Sequence, residues 1–188
     1  PLFSLRMGLR YVKGLATSDG ERIERARAQG AFVSLEDFAR RTRLNEKALS
    51  ALAEAGALAS LSDNRRLALW QALDLARNER PSLPMQVAES TPNLAALGEL
   101  ETIVWDYRTT SHSTHGHPLA PLRAELAALG LPDARAVASM KDGERVRYAG
   151  VVICRQRPST ARGVVFMTLE DETGYVNLVV WESVFTRH

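Results

Sequence analysis

The first 78 residues carry apolar positions at helical spacing, divided into short segments by capping residues. Ser18, Ser34 and Asn45 are predicted N-caps, and Glu21 follows Ser18 by three positions as in a capping box. The apolar stripes of the last two segments are Ala48, Leu49, Leu52 and Ala55, and then Leu67, Trp70, Leu73 and Ala76. Helices this short are marginal alone in water, so we expect them to pack on one another.

Residues 79–140 follow a less regular pattern. Residues 79–93 are rich in proline and show no sustained period, which predicts a linker. A helix is predicted from about Leu94 to Tyr107 and another from Leu119 to about Leu129, with a histidine-rich stretch between them. The predicted buried positions are Leu97, Leu100, Val104 and Tyr107 in the first of these helices, and Leu119, Leu122, Leu126 and Leu129 in the second.

From residue 141 the apolar period changes from 3.6 to 2, which is typical of strands. Three strand-like runs cover residues 145–157, 163–171 and 175–185, and they predict a three-stranded antiparallel meander. Alternation places Val165, Met167 and Leu169 on the core face, together with Val176, Leu178 and Val180. The predicted fold class is therefore α+β. The predicted regions are a helical bundle at 1–78, a linker at 79–93, a helical connector at 94–140 and the sheet at 141–188.

Composition changes this picture only slightly. The formal net charge is +2, and only three of the 24 basic residues are lysine. Arginine suits phosphate, but a GC-rich genome gives the same bias, so both explanations stay open. The single cysteine, Cys154, and the lack of a long apolar run predict a cytoplasmic chain without a membrane span. The start at Pro1 and the strand-like end predict that the chain is part of a longer protein.

The stretch VKGLATSDGERI, residues 12–23, has the pattern of a tight turn between two helices. Backbone N–H groups of such a turn and the positive end of the next helix bind one phosphate without reading a base. An ordinary corner between helices has the same spacing, and that alternative stays open. Residues 43–58 offer a second hairpin. The candidate duplex-binding residues are Lys13, Gly14, Leu15, Ala16, Arg22 and Gly56.

The order of these segments resembles the C-terminal part of the bacterial C-family DNA polymerases, the family of the polymerase III alpha subunit. The segments are LRMGLRYVKGL, GAFVSLEDFARR, ALSALAEAGAL, GHPLAPLR and the strand runs, and RQRPSTARGVVFMTLEDETG is most similar to the error-prone ImuC branch. The resemblance implies tandem helix-hairpin-helix motifs followed by the first three strands of an OB-fold. Ala16 stands where that family usually has Gly. Because a side chain disfavours positive φ, we expect the first hairpin to hold phosphate less closely.

The resemblance also implies a function, which is DNA binding within a polymerase used in damage tolerance, or translesion synthesis. The hairpins would hold template–primer duplex and the OB-fold single-stranded template. The catalytic aspartates and Mg²⁺ ions of that family belong to a palm domain outside the chain, so the chain is expected to be inactive alone. An ImuB-type partner and the sliding clamp are the implied protein partners. Two alternatives stay open, a module that docks the polymerase to ImuB and a histidine-based metal-binding protein.

An OB-fold binds oligonucleotides on the face of its second and third strands and in the adjoining loops. Exposed aromatic side chains there would stack on bases, and arginines of the loop after the first strand would contact phosphates. A half-buried aromatic residue is the ordinary alternative at each position. The candidate single-strand-binding residues are Arg155, Arg157, Arg162, Phe166, Tyr175 and Trp181.

Two polar clusters raise the question of a metal site. His112, His115 and His117 lie in the loop SHSTHGHP, but a structural zinc site normally has four N or S ligands, and Cys154 is distant in sequence. Residues 170–172, with the sequence EDE, fit a turn between strands better than a nuclease site. We therefore expect a structural turn in both places and no bound metal.

Overall fold

The computed structural model of the chain describes residues 7–78 and 92–187. The chain divides into two compact units, residues 1–114 and 115–188. Helices form the described part of the first unit and the second contains a three-stranded sheet, so the predicted α+β class is confirmed. Most of the predicted linker, residues 79–91, lies outside the described residues. Within the described ranges, no helix has the length and apolar character required to cross a membrane.

The helices of the first unit pack around one apolar core. Leu44, Leu49 and Leu52 are almost completely buried there, and each removes a whole aliphatic side chain from water, which stabilises the unit by about 1.5–3 kcal/mol. A short 3-10 helix, Leu9–Tyr11, precedes these helices. The α-helices are α1 (Thr17–Arg27), α2 (Leu35–Thr42), α3 (Glu46–Glu54), α4 (Arg65–Asn78) and α5 (Glu99–Thr110).

Two of the three predicted N-caps are confirmed. The side chains of Ser34 and Asn45 each accept a hydrogen bond from the backbone N–H three residues later. The prediction of Ser18 was wrong, since α1 begins two residues earlier, with Ala16 as its N-cap. The reason is Asp19, whose carboxylate accepts a hydrogen bond from the Ala16 N–H at 3.1 Å.

The predicted buried stripe of α4 was wrong in position. Among residues 65–76 of this helix, Ala68 and Ala72 are fully buried, and both belong to the main core. Leu67 and Trp70, which the pattern assigned to the buried face, are only partly covered. Alanine is only weakly apolar, so it contributes little to a hydrophobic pattern. Its small side chain nevertheless allows helices to pack closely, and alanines can therefore form the buried face.

The fifth helix also differs from its prediction. It spans Glu99–Thr110, and Ser111 ends it in the left-handed conformation at φ +68°, so the predicted break at the histidine-rich stretch is confirmed. Its buried residues are Ile103, Asp106 and Thr109, whereas Val104 and Tyr107 of the predicted stripe are exposed. The stripe was wrong because two of the three buried positions are polar.

The second unit begins with short helices and continues into the sheet. The predicted helix from Leu119 to Leu129 is a 3-10 turn at Ala120–Leu122 followed by a short α-helix. The last strand-like run ends as a strand at Val180, and its end forms a helical turn. The elements are α6 (Arg123–Ala128), α7 (Ala134–Ala138), β1 (Val151–Gln156), β2 (Val165–Asp171), β3 (Gly174–Val180) and α8 (Glu182–Phe185).

The three strands form the predicted antiparallel meander in the order β1-β2-β3. Directly paired residues share a face of the sheet. The pairs Val165–Val180, Met167–Leu178 and Leu169–Val176 confirm that these residues share one face, as predicted. Val165 is buried on that face, whereas Leu178 is 37% exposed. The register of β1 shifts between Val152 and Cys154, where a bulge interrupts the ladder.

Candidate nucleic-acid interface

The first hairpin turns at Gly14, which has φ +85°. Only glycine adopts this conformation at little cost, so the glycine is required by the turn. Ala16 has φ −81° and extended backbone. Its methyl group therefore meets no conformational penalty, and the expectation that Ala16 would weaken the hairpin was wrong in its premise.

Three backbone N–H groups at this hairpin have no acceptor among the described residues. They belong to Gly14 and to the first two residues of α1, Thr17 and Ser18. The first N–H groups of any helix lack partners within the helix, and the helix dipole adds positive potential there. Together with the turn, these groups form an exposed, electropositive patch of backbone that we call the Gly14 hairpin.

The two predicted cationic residues of this hairpin are engaged with backbone carbonyls. The Lys13 ammonium donates to the carbonyl oxygens of Tyr107 and Arg108 at the end of α5, at 3.3 and 3.0 Å. The Arg22 guanidinium donates to the carbonyl oxygen of Arg43 at 3.0 Å. Both side chains therefore stabilise the helical unit.

A third basic residue, Lys47, lies beside the turn. Its Cε atom is 3.8 Å from the position that a Cβ atom would take on Gly14, and its side chain is exposed. No hydrogen bond or ion pair involves the Lys47 ammonium within the described part of the chain. The sequence pattern missed Lys47 because α3 brings it to the hairpin through tertiary packing.

The second hairpin connects α3 to α4, and Gly56 forms its first turn. Gly56 has φ +69°, its N–H donates to the Ala53 carbonyl oxygen, and the next N–H donates to the Leu52 carbonyl oxygen, as in a Schellman motif. The Arg65 side chain covers the Cα of Gly56, and its Cζ is 2.9 Å from where a Cβ would lie. Gly56 thus shapes the turn, and its own N–H is already used.

The sheet separates the predicted aromatic and basic residues. Phe166 pairs with Gln156 on one side and Val179 on the other, so these three share a face of the sheet. Arg155 lies within β1 and pairs with Met167, which belongs to the opposite face. The prediction that Arg155 belongs to the loop after the first strand, beside the aromatic face, was therefore wrong. A strand reverses the direction of side chains at each residue, so one position decides the face.

Arg155 and Arg157 meet at another aromatic ring, that of Phe185 in α8. Their guanidinium carbons lie 5.5 and 5.1 Å from its centroid, within range of a cation–π interaction. Glu182, one turn earlier in α8, places a carboxylate oxygen 3.8 Å from Arg157. The third arginine, Arg162, adopts the left-handed conformation at φ +47° and is exposed. The sequence pattern missed Phe185 because it assigned this residue to a strand.

Three of the candidate aromatic residues are open to solvent. Phe166 is 41% exposed, and Tyr175 and Trp181 are each 63% exposed. Tyr175 pairs with Glu170 on the same face as Phe166, and Trp181 follows the last residue of β3. Phe166, Tyr175 and Val179 form what we call the aromatic face of the sheet.

The acidic residues at the β2–β3 connection hold the second unit together. Asp171 is buried, and its oxygens accept hydrogen bonds from Thr173 and from the first N–H of α7, at Ala134. Burial raises the pKa of this carboxyl, but the donors outweigh burial and hold its pKa below the ordinary value of 3.8. The hydrogen bond from Arg123 lowers the pKa of Glu172 in the same way. This arrangement agrees with the predicted turn.

The histidine-rich stretch, residues 111–118, consists of bends and ends in a turn. The His112 ring contacts Tyr11 edge to face, with centroids 5.3 Å apart, and His117 Nδ1 accepts a hydrogen bond from the Leu119 N–H. Across residues 7–78 and 92–187, no three His, Cys, Asp or Glu side chains come together as a metal site would require.

Comparison with known proteins identifies the first region. Residues 3–68 match the family model of the helix-hairpin-helix motif. Error-prone DNA polymerases of Methylococcus capsulatus, Alkalilimnicola ehrlichii and Brucella abortus are 42%, 43% and 41% identical over 96% of the chain. The chain is homologous to a C-terminal portion of the error-prone DNA polymerases. It spans 17–18% of the length of these relatives.

The match to the helix-hairpin-helix model includes the Gly14 hairpin. It covers α1, α2, α3 and the start of α4, and includes both Gly56 and Lys47. The identity to error-prone polymerases extends across both units of the chain. The predicted resemblance to the error-prone branch is thereby confirmed.

Proposed function

We propose that this chain is the DNA-binding portion of an error-prone polymerase and that it holds template–primer duplex through the Gly14 hairpin. The observation that carries the proposal is the group of unused N–H donors beside the exposed ammonium of Lys47. Backbone donors and one lysine together neutralise a phosphate, because the anion receives both hydrogen bonds and a full positive charge.

Such a site holds DNA without selecting a sequence. Its backbone donors would contact phosphate oxygens, which are the same at every base pair. Indifference to sequence suits a polymerase, which must move along any template. The binding free energy would be largely electrostatic and would fall as salt rises, since neutralised phosphates release counterions.

Replacement of Lys47 tests this proposal. Lys47→Ala should flatten the dependence of log K on log[salt] by about 0.9, the slope for one phosphate of duplex DNA. Lys141→Ala is the matched control, because Lys141 is an exposed lysine of the other unit. The measurement is fluorescence anisotropy of the 188-residue chain with two duplexes of unrelated sequence at several salt concentrations. Equal slopes for the Lys47 variant and the unsubstituted chain would remove the proposed site.

For the second unit we propose an OB-fold role, guiding single-stranded template. Exposed Phe166, Tyr175 and Trp181 provide stacking surfaces, and Arg157 and Arg162 provide positive charge. In the whole polymerase this region would act beside a palm domain that performs templated nucleotidyl transfer with Mg²⁺ during translesion synthesis in the cytoplasm.

A second candidate function for the aromatic face is docking of a protein partner, such as an ImuB-type protein that connects the polymerase to the sliding clamp. The observation that favours it is the separation of charge from aromatic surface. Arg155 and Arg157 gather on Phe185, while Phe166 has Gln156 and Val179 as its neighbours. The same face carries the hydrogen-bonded pair Thr168–Asn177 and the acidic residue Glu170. An exposed face that mixes aromatic, polar and acidic residues without adjacent arginines fits a protein surface better than a polyanion.

A further inference from the structure

The last turn of α5 holds the Gly14 hairpin. The Lys13 N–H donates to the Thr109 carbonyl oxygen at 2.8 Å, and the Lys13 ammonium donates to the carbonyl oxygens of Tyr107 and Arg108. These carbonyls carry the negative end of the helix dipole, so a cation there is stabilised. Tyr11, just before the hairpin, contacts the His112 ring edge to face beyond the end of α5, and this contact also attaches the hairpin to α5.

The same turn of α5 holds the second hairpin. Asp106, which is buried, pairs with Arg65 at 2.8 Å, and the two side chains are only 8% and 14% exposed. The Arg65 guanidinium in turn lies over Gly56, the turning residue of that hairpin. Ser113 donates to the other carboxylate oxygen at 2.7 Å and fixes its orientation. One carboxylate therefore joins α5 to the α3–α4 hairpin.

We infer that α5 couples the two hairpins, and that Asp106 is a positioning residue that sets their separation so that both meet the same duplex. This inference rests on the proposed function of the Gly14 hairpin. The contacts to both hairpins come from four consecutive residues, 106–109, within about one turn of helix. Over so short a span the helix is rigid, and the two hairpins cannot shift independently.

A fixed separation changes the energetics of duplex binding. The inference also assigns a phosphate contact to the α3–α4 hairpin. Once the Gly14 hairpin has met a phosphate, the α3–α4 hairpin is held near a second one, and its contact forms at high effective concentration. Both contacts then release counterions, and both contribute to the salt dependence. When the separation is free, the second contact forms less often and the slope falls toward that of one hairpin.

Asp106→Asn tests the coupling, with Asp37→Asn as the matched control. Asn keeps the size of the side chain but removes the charge that holds Arg65. Asp37 pairs with Arg40 and Arg41 in α2 of the same unit, so its substitution also breaks ion pairs and also adds one unit of positive charge. Added positive charge alone would steepen the salt dependence of duplex binding.

For Asp106→Asn, the expected change in the salt dependence is opposite to the effect of added positive charge. Asp106→Asn should flatten the slope of log K against log[salt] by at least about 0.9, while Asp37→Asn leaves it equal or steeper. Arg65→Met should flatten it at least as much, because it breaks the same link and also removes a positive charge. Adding Asp106→Asn to Arg65→Met should flatten the slope no further. A slope for Asp106→Asn equal to that of Asp37→Asn would overturn the positioning role.

A readout without DNA separates this inference from the proposed function. In NMR spectra of the folded chain, Asp106→Asn should shift the amide signals of Gly14 and Gly56 together, and Asp37→Asn should leave both in place. A shift of the Gly56 amide signal without a shift of the Gly14 signal would overturn the coupling, even if the chain binds duplex DNA. Absence of duplex binding by the unsubstituted chain would overturn the proposed function, and the joint movement of the two signals would still support coupling.

Discussion

Gly14 and Gly56 turn the chain at the two hairpins, with φ values of +85° and +69°. The turns at Gly14 and Gly56 follow from local patterns, because a positive φ is needed wherever a helix reverses so tightly. The partner of each basic side chain depends on packing between distant segments. Lys13 is therefore engaged with α5, whereas Lys47 lies beside the hairpin, and no local pattern distinguishes the two.

Two glycine-to-alanine substitutions should have opposite effects on stability. Gly56→Ala should lower the free energy of unfolding by at least about 1–2 kcal/mol, because it places a side chain at positive φ and against Arg65. Gly20→Ala, within α1 and with open space around it, should raise the free energy of unfolding by about 0.5–1 kcal/mol. Urea denaturation of the two variants measures both changes. A neutral Gly56→Ala would mean that the turn relaxes freely.

At the scale of elements, the sequence predicted which segments are helices and strands better than which face each one buries. Alternation in β2 and β3 was read correctly because Thr168 and Asn177 each lie between two apolar neighbours on the other face. The buried face of α5 was misread because Asp106 and Thr109 are polar, and their burial depends on Arg65 and on backbone carbonyls. A polar residue that is satisfied by a tertiary partner carries no apolar signal.

The β2–β3 connection should make the second unit sensitive to acid. The pKa values of Asp171 and Glu172 lie below their ordinary values of 3.8 and 4.5. Depressed pKa values stabilise the fold above those ordinary values, and this stability is lost as the pH falls through 4.5 and 3.8 toward the lower folded values. The sheet should therefore unfold at lower urea concentration at pH 3 than at pH 7.

Asp171→Asn checks this assignment. The variant should be destabilised at pH 7, and its difference from the unsubstituted chain should shrink as the pH falls below 3.8, because the unfolded chain then binds a proton before the native carboxyl does. Methyl NMR signals of Val165 and Val180, followed through a urea titration, report on the sheet alone. Asp142→Asn, at an exposed position, is the control and should leave the urea midpoint unchanged. A difference that stays constant from pH 7 to pH 3 would contradict the ionic role of Asp171.

For the whole molecule, the order of segments carried more information than any single motif. A helical region, a break and a period-2 region sufficed for the α+β class. The boundary between the two units, after residue 114, was not predicted. The sequence pattern assigned α5 to a helical connector, whereas the structure places it in the same unit as the hairpins. Lys13 and Arg65 make that attachment, and both contacts join residues at least 41 positions apart.

The two units should act on different forms of DNA. Phe166→Ala and Trp181→Ala should weaken binding of single strands by about 1–3 kcal/mol per base stacked and leave the salt slope unchanged. Arg157→Ala should flatten the single-strand slope by about 0.7, and none of the three should alter duplex affinity. Anisotropy titrations with single-stranded and duplex oligonucleotides measure each effect. Single-strand binding that is unaffected by all three substitutions would assign the aromatic face to a protein partner.

The order β1-β2-β3 leaves each outer strand of the described sheet paired on one side only. The two edges differ in composition, since β1 includes Arg155 while the seven residues of β3, GYVNLVV, include no charge and no proline. Short uncharged strands rich in β-branched residues are templates for addition of further strands from other molecules. Self-association of this chain at high concentration should therefore begin at β3, where no like charges oppose the approach of a second copy.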